Sequence, residues 1–168
     1  MKNSLPLGLK VDPKSDAVVD LLGTLQAYDF SRIAWDCQQK FGWSEGHANA
    51  MLLECKQFLA LAVLDPGHYH APGHDADEFW HRAILNTQWY STMCERVFGT
   101  FLHHSPLAAV EAPQIAYRDR TPQVLAYWFG ADRYGPNYQL LGTCQQCNNP
   151  TNLAVRPHEA VVFGSGQY

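Results

Sequence analysis

Residues 51–64 read Met-Leu-Leu-Glu-Cys-Lys-Gln-Phe-Leu-Ala-Leu-Ala-Val-Leu, with Ser44 ahead of them and Asp65-Pro-Gly67 behind. Met51, Leu52, Cys55, Phe58, Leu59, Ala62 and Val63 recur at three- and four-residue intervals, which gathers them into a broad stripe on a helix of 3.6 residues per turn. The Ser44 hydroxyl can accept a backbone N–H at the helix start, and the Pro-Gly pair stops the helix at its other end. A long apolar-striped helix near the middle of the chain calls for other helices to cover it.

The flanking sequence supplies them. Val18, Val19, Leu21, Leu22 and Leu25 predict a helix over 15–28, and Ile33, Ala34, Cys37 and Phe41 predict another over 30–41. Asp29 stands as the N-cap of that second helix and Gly42 as its stop. Beyond the loop 67–74, Asp75, Asp77 and Glu78 place negative charge in a first turn, where the helix dipole favours it. That helical pattern runs through Trp80, Ile84 and Leu85, breaks at Asn86-Thr87, and resumes through Tyr90, Met93, Cys94 and Val97 to Gly99. Thr121-Pro122 reads as a cap and first turn, which predicts a short last helix over 122–129 closed by Gly130. Residues 131–168 read as irregular or as short strands, with Ala160 to Phe163 a strand candidate. The expected fold is mainly all-α, a compact bundle of about five helices with an irregular C-terminal segment. One domain is expected over 1–168, with its helical core in 1–130 and an extension in 131–168.

At 168 residues the chain can bury a core without disulfide support. Its net charge of −4 and scattered Lys and Arg residues argue against a nucleic-acid partner. No run approaches the roughly 20 apolar residues that span a bilayer, and the first eight residues lack the apolar core of a signal peptide. A cytoplasmic protein with no membrane contact is therefore expected, its five cysteines reduced and Cys37, Cys55 and Cys94 buried.

Chemistry concentrates between Asp75 and His104. On a helix, Asp77 or Glu78 meets His81 at a spacing of four or three, and His103-His104 follow after a glycine that can turn the chain back. Two histidines and a carboxylate form the ligand set of a non-haem iron site, or of a zinc site with an open position. A Glu-x-x-His pair also occurs in di-iron bundles, but there it appears twice, and this chain has it once. The same residues fit a simpler arrangement in which a carboxylate holds a buried imidazole with no metal present. The Tyr90 hydroxyl, if buried, needs a partner, which Asp77, His81 or His104 could provide. His68, His70 and His74 crowd one loop, able to chelate an ion or to act as an access loop over the next helix. Cys144 and Cys147 have zinc-knuckle spacing, with His158 as a third candidate ligand but no second Cys pair. There is no Gly-x-Ser-x-Gly elbow and no phosphate-binding glycine loop.

The run Phe58-Leu-Ala-Leu, then Asp77-Glu-Phe-Trp-His81, Ile84-Leu, Thr87, Tyr90, Cys94 and Phe98-Gly-Thr-Phe-Leu-His-His104-Ser-Pro resembles the bacterial glycine-rich domain-containing protein-like family over about residues 50–106. That resemblance implies a polar site on Asp77, His81, Tyr90, Cys94, His103 and His104. Relatives often carry a further histidine two residues after the Trp-His pair, where this chain has Ala83. The expected function is a metal-binding protein, as a small non-haem metal-dependent oxidoreductase. His81, with Asp77 or Glu78 and His103 or His104, supplies its ligands, and Tyr90 donates a hydrogen bond that orients a ligand. The metal is a divalent ion, iron or copper in preference to zinc, with open positions for a small-molecule or peptide substrate. The competing reading is a non-catalytic protein-interaction module, in which the Asp-His helix is structural and exposed aromatics dock a partner.

Overall fold

The computed structural model describes residues 4–106, 114–134 and 151–154. Among these the chain is mainly helical, with six α-helices where about five were expected: α1 (Asp16–Ala27), α2 (Ser31–Phe41), α3 (Glu45–Leu64), α4 (His74–Leu85), α5 (Thr87–Phe98) and α6 (Gln114–Phe129). The expected break at Asn86 is complete, so one long pattern becomes two helices. A short 3-10 turn, Pro6–Gly8, precedes them. Three short strands, β1 (Tyr69–His70), β2 (His104–Pro106) and β3 (Thr151–Ala154), form an antiparallel sheet in the order β1-β3-β2. The strand candidate 160–163 lies outside the described residues, as do Cys144, Cys147 and His158.

Local chemistry explains most of the helix ends. The Ser15 and Ser44 hydroxyls accept the backbone N–H of Val18 and His47, at 3.4 and 3.2 Å, and so cap α1 and α3. Asp29 acts one residue earlier than expected: Phe30 occupies the cap position of α2, while Asp29 Oδ1 accepts the Ser31 N–H at 2.9 Å. Gly42 and Gly99 close α2 and α5 in the left-handed conformation, with φ of 68° and 67°, which glycine adopts without a Cβ penalty. Thr121-Pro122 corrects the sequence reading, because α6 begins at Gln114 and Pro122 lies inside it. The Thr121 hydroxyl is not a cap. It accepts the Ala71 backbone N–H and faces the His70 ring, each at 3.2 Å, so a residue type that reads as a local cap here makes a tertiary contact.

α3 packs against α1, α2, α4, α6 and the Pro6–Gly8 turn. Every residue from Glu54 to Ala62 is buried, so the expected stripe becomes a helix enclosed on all sides. Enclosure forces its polar residues to find partners. Lys56 Nζ donates to the carbonyls of Gln26 and Tyr28, both at 2.8 Å, at the C-terminal end of α1, and lies 4.7 Å from the centre of the Phe30 ring. A cation at a helix C-terminus is favoured by the dipole, while burial lowers the lysine pKa. Gln57 Nε2 donates to the Leu7 carbonyl at 2.8 Å, its Oε1 accepts from the buried Tyr134 hydroxyl, and Glu54 lies 3.9 Å from Arg133. Cys37, Cys55 and Cys94 are buried free thiols within this core. No helix among the described residues is long and apolar enough to cross a membrane.

Removing the Lys56 ammonium strands two carbonyls in a nearly dry setting, where each unpaired group costs about 1–3 kcal/mol. Lys56→Met, which keeps the apolar stem, is expected to lower stability by about 2–3 kcal/mol with helical content unchanged. Urea unfolding followed by circular dichroism measures it, and a loss below about 0.5 kcal/mol would contradict this role for Lys56.

Candidate functional site

The arrangement begins on α4, where Ala76, Phe79, Trp80 and Ala83 face the core. Asp77 and His81 are four residues apart on the same helix and therefore share a face. Asp77 Oδ2 stands 3.7 Å from His81 Nδ1, with the Asp77 side chain 7% and the His81 side chain 26% exposed. The carboxylate is thus inside the protein and the imidazole at its edge. After Gly99 reverses the chain, β2 brings in His104, whose Nε2 lies 3.0 Å from His81 Nε2. The three side chains offer one ligand atom each within 4.8 Å of one another, and among the described residues no other such group forms.

The proton positions in this cluster follow from the chemistry of its members. A carboxylate facing His81 Nδ1 favours the proton on that nitrogen, which leaves the Nε2 lone pair directed at His104. Burial, and then the neighbouring His81, push the His104 pKa down to about 4, while a hydrogen bond to its own backbone works the other way. His104 is therefore neutral near pH 7 and its Nε2 can serve as a ligand without first losing a charge. Two nitrogens at about 2.1 Å from one ion are about 3.0 Å apart when they subtend a right angle, the separation found here. The other expected residues lie elsewhere. Glu78 is on α4 but outside the cluster, and His103 is exposed with its ring 4.8 Å from Phe101.

Tyr90 is fully buried, and its hydroxyl is directed at none of Asp77, His81 or His104. It accepts the Trp80 indole N–H at 3.0 Å and donates to the Leu102 carbonyl at 2.8 Å. Burial raises its pKa far above the ordinary tyrosine value. A hydroxyl that is engaged on both sides and held protonated has no capacity left to orient a bound substrate.

A second polar cluster joins the end of α3 to α6, and local sequence spacing did not reveal it. Arg120 donates to both oxygens of Asp65, at 2.9 and 2.7 Å. His70 Nε2 faces Asp65 Oδ2 at 2.9 Å, and His68 Nδ1 faces Oδ1 at 3.1 Å. Asp65 resembles a helix stop and Thr121 a helix cap when each is read alone; their partners are some 50 residues away. Of the crowded histidines, His68 and His70 thus join a carboxylate whose charge a guanidinium already balances. A cleft of about 490 Å³ lined by Leu7, Lys10, Gln57, Phe129, Asp132 and Arg133 includes neither cluster.

Burial, only partly offset by Asp65, pushes the His70 pKa down to about 4, as it does for His104. Above pH 6.5 both histidines are neutral in the folded and unfolded chains. Between 6.5 and 4 the unfolded chain takes up protons that the folded chain refuses, so stability falls as pH falls, by up to about 1.4 kcal/mol per pH unit for each histidine. Urea midpoints taken from pH 7 to 4.5 should decline accordingly, and the slope should be shallower in His70→Gln. An equal slope in that variant would exclude His70 as a source of the effect.

A family model described as UCP032817-like matches residues 23–129, more than half of the chain, from within α1 to the end of α6. No curated protein and no solved structure matches. The match overturns the glycine-rich domain-containing protein-like resemblance, which rested on about residues 50–106 and on short motifs whose residues this fold divides between core packing and a polar edge. Because the matched segment holds α2 to α6 and with them Asp77, His81 and His104, the bundle and its histidine cluster lie within one family unit. The chain belongs to the UCP032817-like family.

Proposed function

We propose that the protein binds one divalent transition-metal ion through His81, His104 and Asp77, as a small non-haem metal-dependent oxidoreductase. The observation that carries this reading is the 3.0 Å approach of His81 Nε2 to His104 Nε2 beside a buried carboxylate. Two imidazoles and one carboxylate leave half of an octahedral shell for water, dioxygen or a small substrate, an arrangement suited to iron(II). The partly exposed His81 edge gives those positions access to solvent. Asp77 either completes the ligand set or fixes His81 through Nδ1, and each role raises the affinity of the site.

The competing reading, a protein-interaction module, rests on a different surface. Trp35 and Leu85 are 55% and 68% exposed and flank Asp36 and Asn86, which are joined by a 3.3 Å hydrogen bond between α2 and the α4–α5 break. Two large apolar side chains beside such a contact suit a docking face. They carry no chemistry of their own.

Elemental analysis separates the two readings. Untagged protein reconstituted without oxygen should hold about one iron per chain, and His81→Ala and His104→Ala should each lose it while keeping wild-type helical content. Failure to retain iron, copper or zinc in the wild type would remove the metal reading and leave the interaction face as the better account.

A further inference from the structure

The position of His104 is the part of the proposed centre that local sequence does not determine. Asp77 and His81 share a rigid helix, but His104 arrives after a glycine and a stretch with no helix or strand, residues 99–103. Such a segment places a ligand only if something else fixes its backbone. Two side chains of α5 do this. The Tyr90 hydroxyl donates to the Leu102 carbonyl at 2.8 Å. Cys94, one turn further along, is buried and interacts with the Leu102 backbone. The peptide two residues before His104 is thus held by side chains four apart on one helix.

The same hydroxyl reaches the His104 ring by a second route. Tyr90 accepts the Trp80 indole N–H at 3.0 Å, and the Trp80 ring centre lies 4.8 Å from that of His104. Trp80 is fully buried against Phe58 of α3, so it cannot shift to follow a displaced imidazole. One oxygen atom therefore links the backbone that delivers His104 to the indole that seats its ring.

We propose that Tyr90 is a positioning residue for the metal centre, fixing His104 through the Leu102 carbonyl and through Trp80. This rests on the metal reading above and adds to it that affinity depends on a hydroxyl that touches neither metal nor substrate. Phe101 packs edge-on against the Tyr90 ring at 5.2 Å, so replacing tyrosine with phenylalanine preserves the ring contacts and removes only the two hydrogen bonds. Outer partners of metal ligands commonly change affinity by roughly 10–100-fold.

Cobalt(II) is the probe, because its visible absorption reports ligand geometry as well as occupancy. Tyr90→Phe is expected to bind cobalt(II) roughly 10–100-fold more weakly than wild type, with an altered visible band at saturation. Leu25→Ala in α1, a fully buried position away from the cluster, serves as the control for lost stability and should keep wild-type affinity and spectrum. Trp80→Phe removes the indole donor while leaving Tyr90 bonded to Leu102. It should also alter the band, and it supplies the test if Tyr90→Phe does not fold. Wild-type affinity and an unchanged spectrum in whichever of these variants folds would overturn the positioning role while leaving the metal reading intact. An equal loss in Leu25→Ala would also overturn it, by showing that the effect is general destabilisation. Wild-type protein that binds no cobalt(II) would instead remove the metal reading itself.

Discussion

The enclosure of α3 from Glu54 to Ala62 is the constraint from which the rest of the architecture follows. A helix covered by α1, α2, α4, α6 and the N-terminal turn has no solvent face over its buried stretch, yet it carries Glu54, Lys56 and Gln57 there. Each of these would be costly if left unpaired in the interior. Their partners are backbone carbonyls and side chains at the ends of other elements: Gln26 and Tyr28 at the C-terminal end of α1, Leu7 in the first turn, and Arg133 and Tyr134 after α6. Polar residues in the central helix therefore tie down the chain at points where helices stop, which apolar packing alone would leave loose.

With α3 fixed, α4 has one face committed to the core and one edge available. Phe79, Trp80 and Ala83 are fully buried, while the His81 side chain keeps a quarter of its surface in solvent. Asp77 occupies the boundary between the two. The cluster consequently lies at the rim of the bundle, with the imidazole edge of His81 reaching solvent and Asp77 buried. The buried side of that rim lowers the dielectric and keeps His104 neutral. A site deeper in the core would have lacked access, and one further out would have left the imidazoles hydrated and free to protonate.

How much of this was legible in the sequence depended on the distance over which each contact acts. Ser15, Ser44, Gly42 and Gly99 act within one helical turn, and reading them alone located helix ends. The Asp77–His81 pair is also local, since a spacing of four on a helix defines a shared face. His104 was legible only as a candidate, and nothing in the sequence separated it from His103 beside it. Strand β2 begins at His104, and the pleat alternates the faces of neighbouring residues. Thr121 was misread, and the distant partners of Tyr90 and Asp65 were hidden, for one reason: each residue has a strong local meaning that says nothing of a contact far along the chain. Tyr90 looked like a site residue and became a tether for Leu102. Thr121 looked like a cap and became a ligand for the loop carrying His70. The enclosure of α3 was hidden because an apolar stripe shows where burial starts, whereas burial of Lys56 and Gln57 depends on acceptors and donors in α1, the first turn and the end of α6.

The small sheet connects the two histidine clusters in a way that neither helix packing nor spacing suggests. Leu153 of β3 is the register partner of both His70 on β1 and His104 on β2. Partners across a ladder stand side by side at about 4.8 Å per strand. The backbone positions of His70 and His104 are thus about 10 Å apart in one row with Leu153 between them. His70 is tied to α6 through Thr121 and to the end of α3 through Asp65. His104 is tied to α4 through its contacts with His81 and Trp80. Strand β3 accordingly bridges the histidine that contacts the end of the central helix and the histidine of the proposed metal centre through the backbone ladder. A displacement of His104 toward or away from His81 must be accommodated by that ladder as well as by the Tyr90 tether, so two restraints act on the one member of the cluster that α4 does not carry.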